Sequence, residues 1–219
     1  MKFSKNLLKI LASYSTINQG ILFQRGEIVS VISPLETIMS TCSIDTFIEQ
    51  DFAISNLSEF INIIGLLSSD HEISFTDNQI VISSGNSVVK YTMADADTIK
   101  CSSYERPEYS DIITSFELPF IDMQNILKAS SILKSSEIII SGKENGNVMI
   151  TAGKINERSS SRFNKQMETI KVSPTKNFKR KFNLENFKII EGNYVANIPE
   201  ENFIELTGTN IDYWIAEAE

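Results

Sequence analysis

Four segments of the chain place apolar residues at helical spacing, and the sequence between them alternates with a period of two. The first helical segment covers about residues 4–14, with Ser4 as its N-cap. The second is SNLSEFINIIGLL, in which Asn56 and Glu59 are spaced as a capping box. The third covers about residues 121–133, and the fourth is the short stretch NLENFKII, which ends near Gly192. The pattern predicts four helices.

The alternating stretches predict short strands, because apolar and polar positions that take turns along a chain face opposite sides of a sheet. Turn-forming residues separate them. The predicted strands cover residues 17–24, 27–32, 37–42, 47–54, 72–76, 80–84, 88–93, 112–118, 137–141, 148–152, 163–172, 178–182, 194–198, 203–207 and 211–216. Roughly three strands follow each helix, so the same theme occurs four times.

Two short sequence matches indicate an internal duplication. NLLK at residues 6–9 recurs as NILK at 125–128, and NLSEF from Asn56 recurs as NLENF from Asn183. Between the halves, ADADTIKCSSYERPEYSD loses periodicity and resembles a connector. We therefore expect an α+β protein of two similar domains, residues 1–103 with the connector from about 94, and 112–219. In each domain the helices cover one face of antiparallel sheets.

Composition narrows the classes of protein. The chain has 219 residues, 42% of them hydrophobic, which suffices for one large or two small buried cores. Cys42 and Cys101 lie far apart and match no metal spacing, which favours reduced thiols. No apolar run approaches the length of a membrane span. We expect a soluble, intracellular protein without a membrane partner.

The first predicted helix is basic on one face although the protein as a whole is acidic. The formal net charge is -8, yet Lys2, Lys5 and Lys9 line one face of that helix, away from its apolar stripe. The NILK match gives Lys128 a corresponding place, and Lys134 and Lys188 lie near the edges of the same surface. Such lysines alone are typical of a solvated surface, but a local basic stripe on an acidic protein also suits contact with nucleic acid. In KNFKRKF, the basic residues fit such a contact or a plain exposed edge strand.

Catalytic chemistry has little support. His71 is the only histidine and is expected in a surface turn, and Asp95 and Asp97 are expected to be solvated. No glycine-rich phosphate loop and no metal-ligand spacing is found. We expect no enzyme, no cofactor and no metal. Trp214, the sole tryptophan, fits either the core or a binding site.

Three segments together resemble the DNA polymerase sliding clamps of T-even-like bacteriophages: MKFSKNLLKILASYSTINQGI, DFAISNLSEFINIIGLL and TGTNIDYWIAEAE. The resemblance covers essentially the whole chain. It implies a closed homotrimeric ring of six similar domains with the helices facing a central hole. Such a ring encircles duplex DNA without reading sequence and tethers the replicative polymerase in the cytoplasm of the infected bacterial host.

The resemblance also implies roles for particular residues. Lysines on the inner helices would contact phosphates: Lys2, Lys5, Lys9, Lys128, Lys134 and Lys188. Peptides of the polymerase and the clamp loader, and late-transcription factors, would dock near the connector and the last strand, at Ile99, Tyr213, Trp214 and Ile215. Strand alternation allows only part of the 213–215 set to face such a pocket. The alternative is a structural or protein-interaction protein built from repeated sheet units, with no DNA partner.

Overall fold

The first helix, α1 (Lys5–Ile17), begins where the sequence predicts. The Ser4 hydroxyl caps it by accepting a hydrogen bond from the Leu7 N–H at 2.9 Å. Its apolar face is buried, and the Tyr14 hydroxyl is hydrogen-bonded to Ser40 at 2.9 Å. The helix runs three residues beyond the predicted end, because Ile17 continues the buried stripe.

The computed structural model describes residues 1–67, 70–101, 106–109, 111–153, 161–167, 169–170 and 173–218. The chain forms two compact units, Met1–Glu105 and Arg106–Glu219. Each has its own helix packed on antiparallel strands.

In the first unit, eight further elements follow α1. They are β1 (Ile21–Phe23), β2 (Gly26–Ile32), β3 (Ile38–Ile48), β4 (Phe52–Ile54), α2 (Leu57–Leu66), β5 (Glu72–Phe75), β6 (Gln79–Ser84) and β7 (Ser87–Thr92). β1 pairs with β4, β2 with β3, and β5, β6 and β7 form a three-stranded meander. A single 3₁₀ turn follows at Ala96–Thr98.

The core of the first unit is rich in aromatic rings. Phe23 stacks on Phe52 with ring centroids 4.5 Å apart, and Phe3 contacts both Phe23 and Phe60. Phe60 comes from α2 and Phe3 precedes α1, so this cluster fixes both helices against the strands.

The second unit also packs a helix on antiparallel strands, but its described residues form one α-helix where the first unit has two. Its elements are β8 (Ile112–Leu118), α3 (Phe120–Ile132), β9 (Glu137–Gly142), β10 (Val148–Gly153), β11 (Arg162–Met167), β12 (Phe178–Asn183), β13 (Tyr194–Pro199), β14 (Phe203–Thr207) and β15 (Ile211–Ala216). One sheet has the order β11-β10-β9-β12, and in this unit β15, β14, β13 and β8 are neighbours in that order. Helix α3 packs on β10 and β11 and buries Met123 and Ile126.

Several predicted strand boundaries are wrong. The strand predicted at 17–24 is confined to β1, because Ile17 belongs to α1. The strand predicted at 163–172 corresponds to β11, and residues 168 and 171–172 of that prediction lie outside the described residues.

The sequence predicts a break between strands 37–42 and 47–54, but β3 continues through this polar run to Ile48. The next strand, β4, begins only at Phe52. Every second residue of β3 is buried, including Cys42, Ile44 and Thr46. The alternation of buried and exposed side chains therefore continues through the polar residues that suggested a turn.

The prediction of a fourth helix is also wrong. NLENFKII forms only a single 3₁₀ turn at Leu184–Asn186. Beyond it, side chains satisfy the backbone in place of helical hydrogen bonds. The Ile190 N–H donates to the Tyr213 hydroxyl at 3.1 Å, and the Tyr194 hydroxyl donates to the Ile190 carbonyl at 2.7 Å.

His71 does not occupy a surface turn. It is buried, with 3% of its surface exposed, and its Nε2 accepts a hydrogen bond from the Phe3 N–H at 3.3 Å. The hydrophobic surroundings of Phe3 explain the burial, and the interaction gives the histidine a structural position beside the aromatic core.

Candidate nucleic-acid and partner surfaces

The exposed face of α1 carries two of the predicted DNA-facing lysines. Lys5 and Lys9 are exposed, whereas Leu7 and Leu11 on the other side of the helix are fully buried. In α3, Lys128 is likewise exposed and Ile126 buried. Within the described part of the chain these three lysines form no ion pair. Their exposed side chains can contact a ligand outside the chain.

The other three predicted lysines differ in their surroundings. Lys2 precedes α1 and pairs with Asp70 at 3.0 Å. Lys134 is exposed just past α3, with a φ of 52° that marks the chain's turn out of the helix. Lys188 is exposed after the single 3₁₀ turn. The helix faces thus carry Lys5, Lys9 and Lys128, and whether any of the six contacts DNA stays a prediction.

Of the two short sequence matches between the halves of the chain, one falls at equivalent positions in the structure and the other does not. Asn56 caps α2, and Asn183 occupies the N-cap of the 3₁₀ turn, so NLSEF and NLENF mark equivalent starts. NLLK and NILK do not coincide, because Lys9 is the fifth residue of α1 and Lys128 the ninth of α3. The offset is about one helical turn, so both lysines still lie on the exposed side of their helices.

The basic segment KNFKRKF holds the second unit together and is not a free cationic strip. Arg180 is buried, and its guanidinium donates to the Pro199 carbonyl at 2.9 Å, to the Glu200 carbonyl at 2.8 Å and to the Glu201 carbonyl. Lys176 pairs with Glu200 at 2.7 Å, and Lys181 pairs with Glu137 at 3.2 Å. The Arg180 contacts tie β12 to the turn between β13 and β14, whereas the Lys181 pair joins β12 to β9.

Trp214 lies in a row of polar side chains that crosses one face of the β8-β13-β14-β15 strands. The strand register places Ser115 opposite Asn197, Asn197 opposite Glu205, and Glu205 opposite Trp214. The Ser115 hydroxyl donates to Asn197, whose Nδ2 donates to Glu205 Oε2 at 2.8 Å. From the other side, the Trp214 indole Nε1 donates to Glu205 Oε1 at 3.0 Å.

Glu205 is the electrostatic centre of this row. Its side chain is completely buried, and burial by itself acts to raise the pKa of its carboxyl. Hydrogen bonds from Arg106, Tyr109 and Asn197 outweigh that effect, so the pKa of Glu205 lies below its usual value. Burial and the Glu205 charge raise the pKa of Asp212 nearby. The row therefore holds one buried negative charge at neutral pH.

The remaining predicted partner-binding residues fall in other places. Tyr213 and Ile215 point to the face opposite Trp214 and are fully buried, as strand alternation predicts. Tyr213 packs against Tyr194 with centroids 5.9 Å apart. Ile99 is half-buried and packs close to Gly20 in the first unit. A role for Ile99, Tyr213, Trp214 or Ile215 in partner binding stays a prediction.

Sequence reasoning missed Glu205, Arg106 and Tyr109. In FIELT, Glu205 occupies the strand position that usually faces solvent, so nothing local marks it as buried. Among the described residues, no group of three or more His, Cys, Asp or Glu side chains could hold a metal ion. In the same part of the chain, no helix has the length and apolar character to cross a membrane.

The fold is that of the DNA-clamp proteins. The crystal structure of PCNA from Thermococcus kodakaraensis matches with a TM-score of 0.73 at 14% identity, over 99% of this chain and 98% of that one. A. fulgidus PCNA, solved with the C-terminal region of FEN-1 bound to it, matches with a TM-score of 0.67 at 12% identity, over 98% of this chain and 95% of that one. These likenesses confirm the predicted fold class.

Sequence comparison identifies the family within that fold. The family model for DNA polymerase processivity factors matches residues 4–101. The sliding clamp of Escherichia phage RB69 is 30% identical over 198 residues, which cover 89% of this chain and 85% of that protein. The chain belongs to the sliding clamp family of DNA polymerase processivity factors, as its resemblance to the T-even-like phage clamps predicts.

Proposed function

We propose that this protein is a sliding clamp that encircles duplex DNA and tethers the replicative polymerase during viral DNA replication, in the cytoplasm of the infected bacterial host. The observation that carries the proposal is the 30% identity with the RB69 sliding clamp across 85% of that protein's length. Family membership favours this function over a structural protein without a DNA partner. The role is mechanical, since a clamp holds other proteins on DNA without changing a covalent bond.

Exposed lysines on α1 and α3 supply contacts to the DNA backbone. Lys5, Lys9 and Lys128 stand on the sides of their helices that face away from the strands. Contacts to phosphates attract duplex DNA without regard to sequence. The excess of acidic residues in the rest of the chain repels DNA elsewhere, which favours binding at these faces.

Sheet edges suggest how copies assemble. Several edges are covered within the chain: Met1 exchanges backbone hydrogen bonds with Ile73 of β5, and the Ala218 N–H donates to Lys181 of β12. By contrast, β7 and β11 each have one strand neighbour among the described strands. An uncovered edge pairs readily with another strand.

We therefore propose head-to-tail assembly in which β7 of one copy pairs with β11 of the next. One edge lies in each unit, so the contact joins two different surfaces and repeats around a ring. Val88 on β7 is 58% exposed, and it would be covered by such pairing. Closure after three copies gives the homotrimer of six similar domains.

Partner proteins are proposed to bind through short apolar peptides. The C-terminal region of FEN-1 bound to A. fulgidus PCNA is a peptide complex of a protein with this fold. For this chain we propose the polymerase, the clamp loader and late-transcription factors as partners, with Trp214 beside their site. The emission of this sole tryptophan offers a readout of peptide binding.

Encirclement can be separated from simple electrostatic binding by the topology of the DNA. The clamp is loaded onto nicked circular DNA by its loader, and retention on the DNA is measured by gel filtration before and after a restriction enzyme linearises the circle. We expect retention on the circle and loss from the linear DNA, because a ring slides off a free end. Equal retention on both forms would overturn encirclement, and blocking the ends of the linear DNA with bound protein should restore retention.

A further inference from the structure

Residues Arg106–Tyr109, at the end of the predicted connector, form a strap that side chains hold in place. No backbone hydrogen bond joins this strap to another described residue, whereas shortly after it the Asp111 carbonyl accepts from the Glu200 N–H at 2.9 Å. The strap is instead attached to Glu205. Arg106 Nε donates to Glu205 Oε1 at 2.7 Å, and the Tyr109 hydroxyl donates to Glu205 Oε2 at 2.7 Å.

The two strap side chains also support each other. Arg106 Nη2 lies 2.6 Å from Glu205 Oε1 and donates to the Tyr109 hydroxyl at 3.0 Å. The guanidinium carbon lies 5.7 Å from the centre of the Tyr109 ring, and that ring meets Phe203 edge-on with centroids 5.9 Å apart. The closed position of the strap therefore depends on the Glu205 carboxylate and on the contact between the Tyr109 and Phe203 rings.

The two partners of the ion pair are buried to very different degrees. The Glu205 side chain is 0% exposed, but the Arg106 side chain is 55% exposed. If the strap lifts, Arg106 is solvated, while Glu205 keeps its hydrogen bonds from Asn197 and Trp214. The open state thus leaves no charge without hydrogen bonds, which makes local opening possible while the sheet stays folded.

We infer that Glu205 is a latch that holds the Arg106–Tyr109 strap closed over Phe203 and beside Trp214, and that the strap opens as a unit when the Arg106 ion pair is lost. Opening uncovers Phe203 of β14, the ring that Tyr109 contacts, so the latch controls access to this part of the second unit. The inference concerns the strap alone and does not depend on DNA binding or on ring formation.

Limited chymotrypsin digestion of the full-length protein tests the latch, because the bond after Tyr109 is cut only when the strap is open. Where opening is fast relative to cleavage, the cutting rate follows the open population. We expect Arg106→Gln to raise cutting after Tyr109 by at least about tenfold, because the change removes both guanidinium contacts with Glu205 and a single charge-assisted hydrogen bond already accounts for about that factor. Glu205→Gln, which keeps the shape of the side chain, should raise it as well.

The matched control is Glu200→Gln, which removes an exposed ion pair with Lys176 and leaves the strap contacts in place. Its cutting rate should equal that of the wild type. Hydrogen exchange of β13, β14 and β15 distinguishes opening of the strap from unfolding of the sheet, and it should be unchanged in Arg106→Gln. Wild-type cutting in Arg106→Gln would overturn the inference, and so would faster exchange across all three strands, because either result shows that the strap does not open separately.

Discussion

Glu205 and Trp214 face each other across the β14–β15 ladder, and the indole N–H donates to the buried carboxylate at 3.0 Å. The only tryptophan of the protein is therefore placed to report on the ionisation of Glu205, the most buried acid in the part of the chain that the structure describes. This pairing makes the electrostatics of the second unit accessible to a simple fluorescence measurement.

Acid should protonate Glu205 and change the fluorescence of Trp214. The pKa of Glu205 is lowered in the folded protein, so the ionised carboxyl stabilises the fold above the pKa of the unfolded chain, near 4.5. That contribution is lost as the pH falls through the lower folded value. We expect a change in tryptophan emission below about pH 4.5, before global unfolding, measured against far-ultraviolet circular dichroism.

Variants assign this transition to Glu205. Among the described residues, Arg106, Tyr109 and Asp212 are the other titratable groups that interact with Glu205, and Asp212 has a raised pKa. Glu205→Gln should lack the transition, whereas Asp212→Asn should keep it. An unchanged transition in Glu205→Gln would contradict the assignment.

Arg180 should contribute strongly to stability. Its guanidinium donates to three backbone carbonyls at the β13–β14 turn, so Arg180→Met removes a donor from each of them while it keeps the apolar stem. The Glu201 carbonyl then keeps the hydrogen bond from the Phe203 N–H. We expect the free energy of unfolding to fall by about 3 kcal/mol, the upper range for hydrogen bonds to a charged group. Urea denaturation measures the loss.

Lys176→Met is the comparison, since it removes only an exposed pair with Glu200. Its effect should be between 0 and about 1 kcal/mol. Equal losses in the two variants would show that Arg180 acts as another surface charge.

The predictions from sequence succeeded where local pattern and tertiary structure agree. β8, β14 and β15 have the predicted bounds, because each is a short run rich in apolar residues between clear turn residues. The helix prediction for NLENFKII failed because side chains outside the segment, Tyr194 of β13 and Tyr213 of β15, satisfy the backbone at Ile190. Contacts of this kind leave no periodic signal in the segment itself.

The same limit applies to the charged residues. Arg180 and Glu205 look like surface residues in KNFKRKF and FIELT, and their burial follows from strands that come together only in the fold. The lysines of α1 were easier to place, because a helix separates its faces by spacing alone. The sequence therefore predicted the candidate DNA surface more completely than the polar row beside Trp214.

Assembly should depend on the free edge of β7. The Met93 N–H donates to the Asn78 carbonyl. Because every second N–H of an antiparallel strand points to the same neighbour, the N–H groups of Tyr91 and Val89 also point to β6. The Lys90 amide then points away from β6. Lys90→Pro should block pairing with another copy without removing a hydrogen bond inside the chain.

Lys90→Ala is the matched control for assembly, because it loses the same side chain and keeps the amide. In sedimentation velocity at micromolar concentration, we expect trimers for the wild type and Lys90→Ala and monomers for Lys90→Pro. Trimers in all three proteins would exclude this edge from the interface, and a stable twofold dimer of the wild type would contradict the proposed ring.

Charge reversal on the helices tests the DNA surface. Lys5, Lys9 and Lys128 lie off the buried stripes, so replacing all three by glutamate should leave folding and assembly intact. Each exposed charge contributes only up to about 1 kcal/mol alone, but a trimer presents each of them three times. We expect reduced retention on circular DNA and less processive synthesis, with a weaker dependence on salt concentration because fewer counterions are released.

The control for charge reversal changes three exposed basic residues outside the helices, Arg25, Lys143 and Lys179, also to glutamate. The two triple variants have the same net charge, so a difference between them reports the position of the charge and not its total. Both are compared with the wild type at two salt concentrations in a polymerase assay. If the helix variant behaves like the control, the lysines of α1 and α3 form a solvated surface, and contact with DNA must come from other residues.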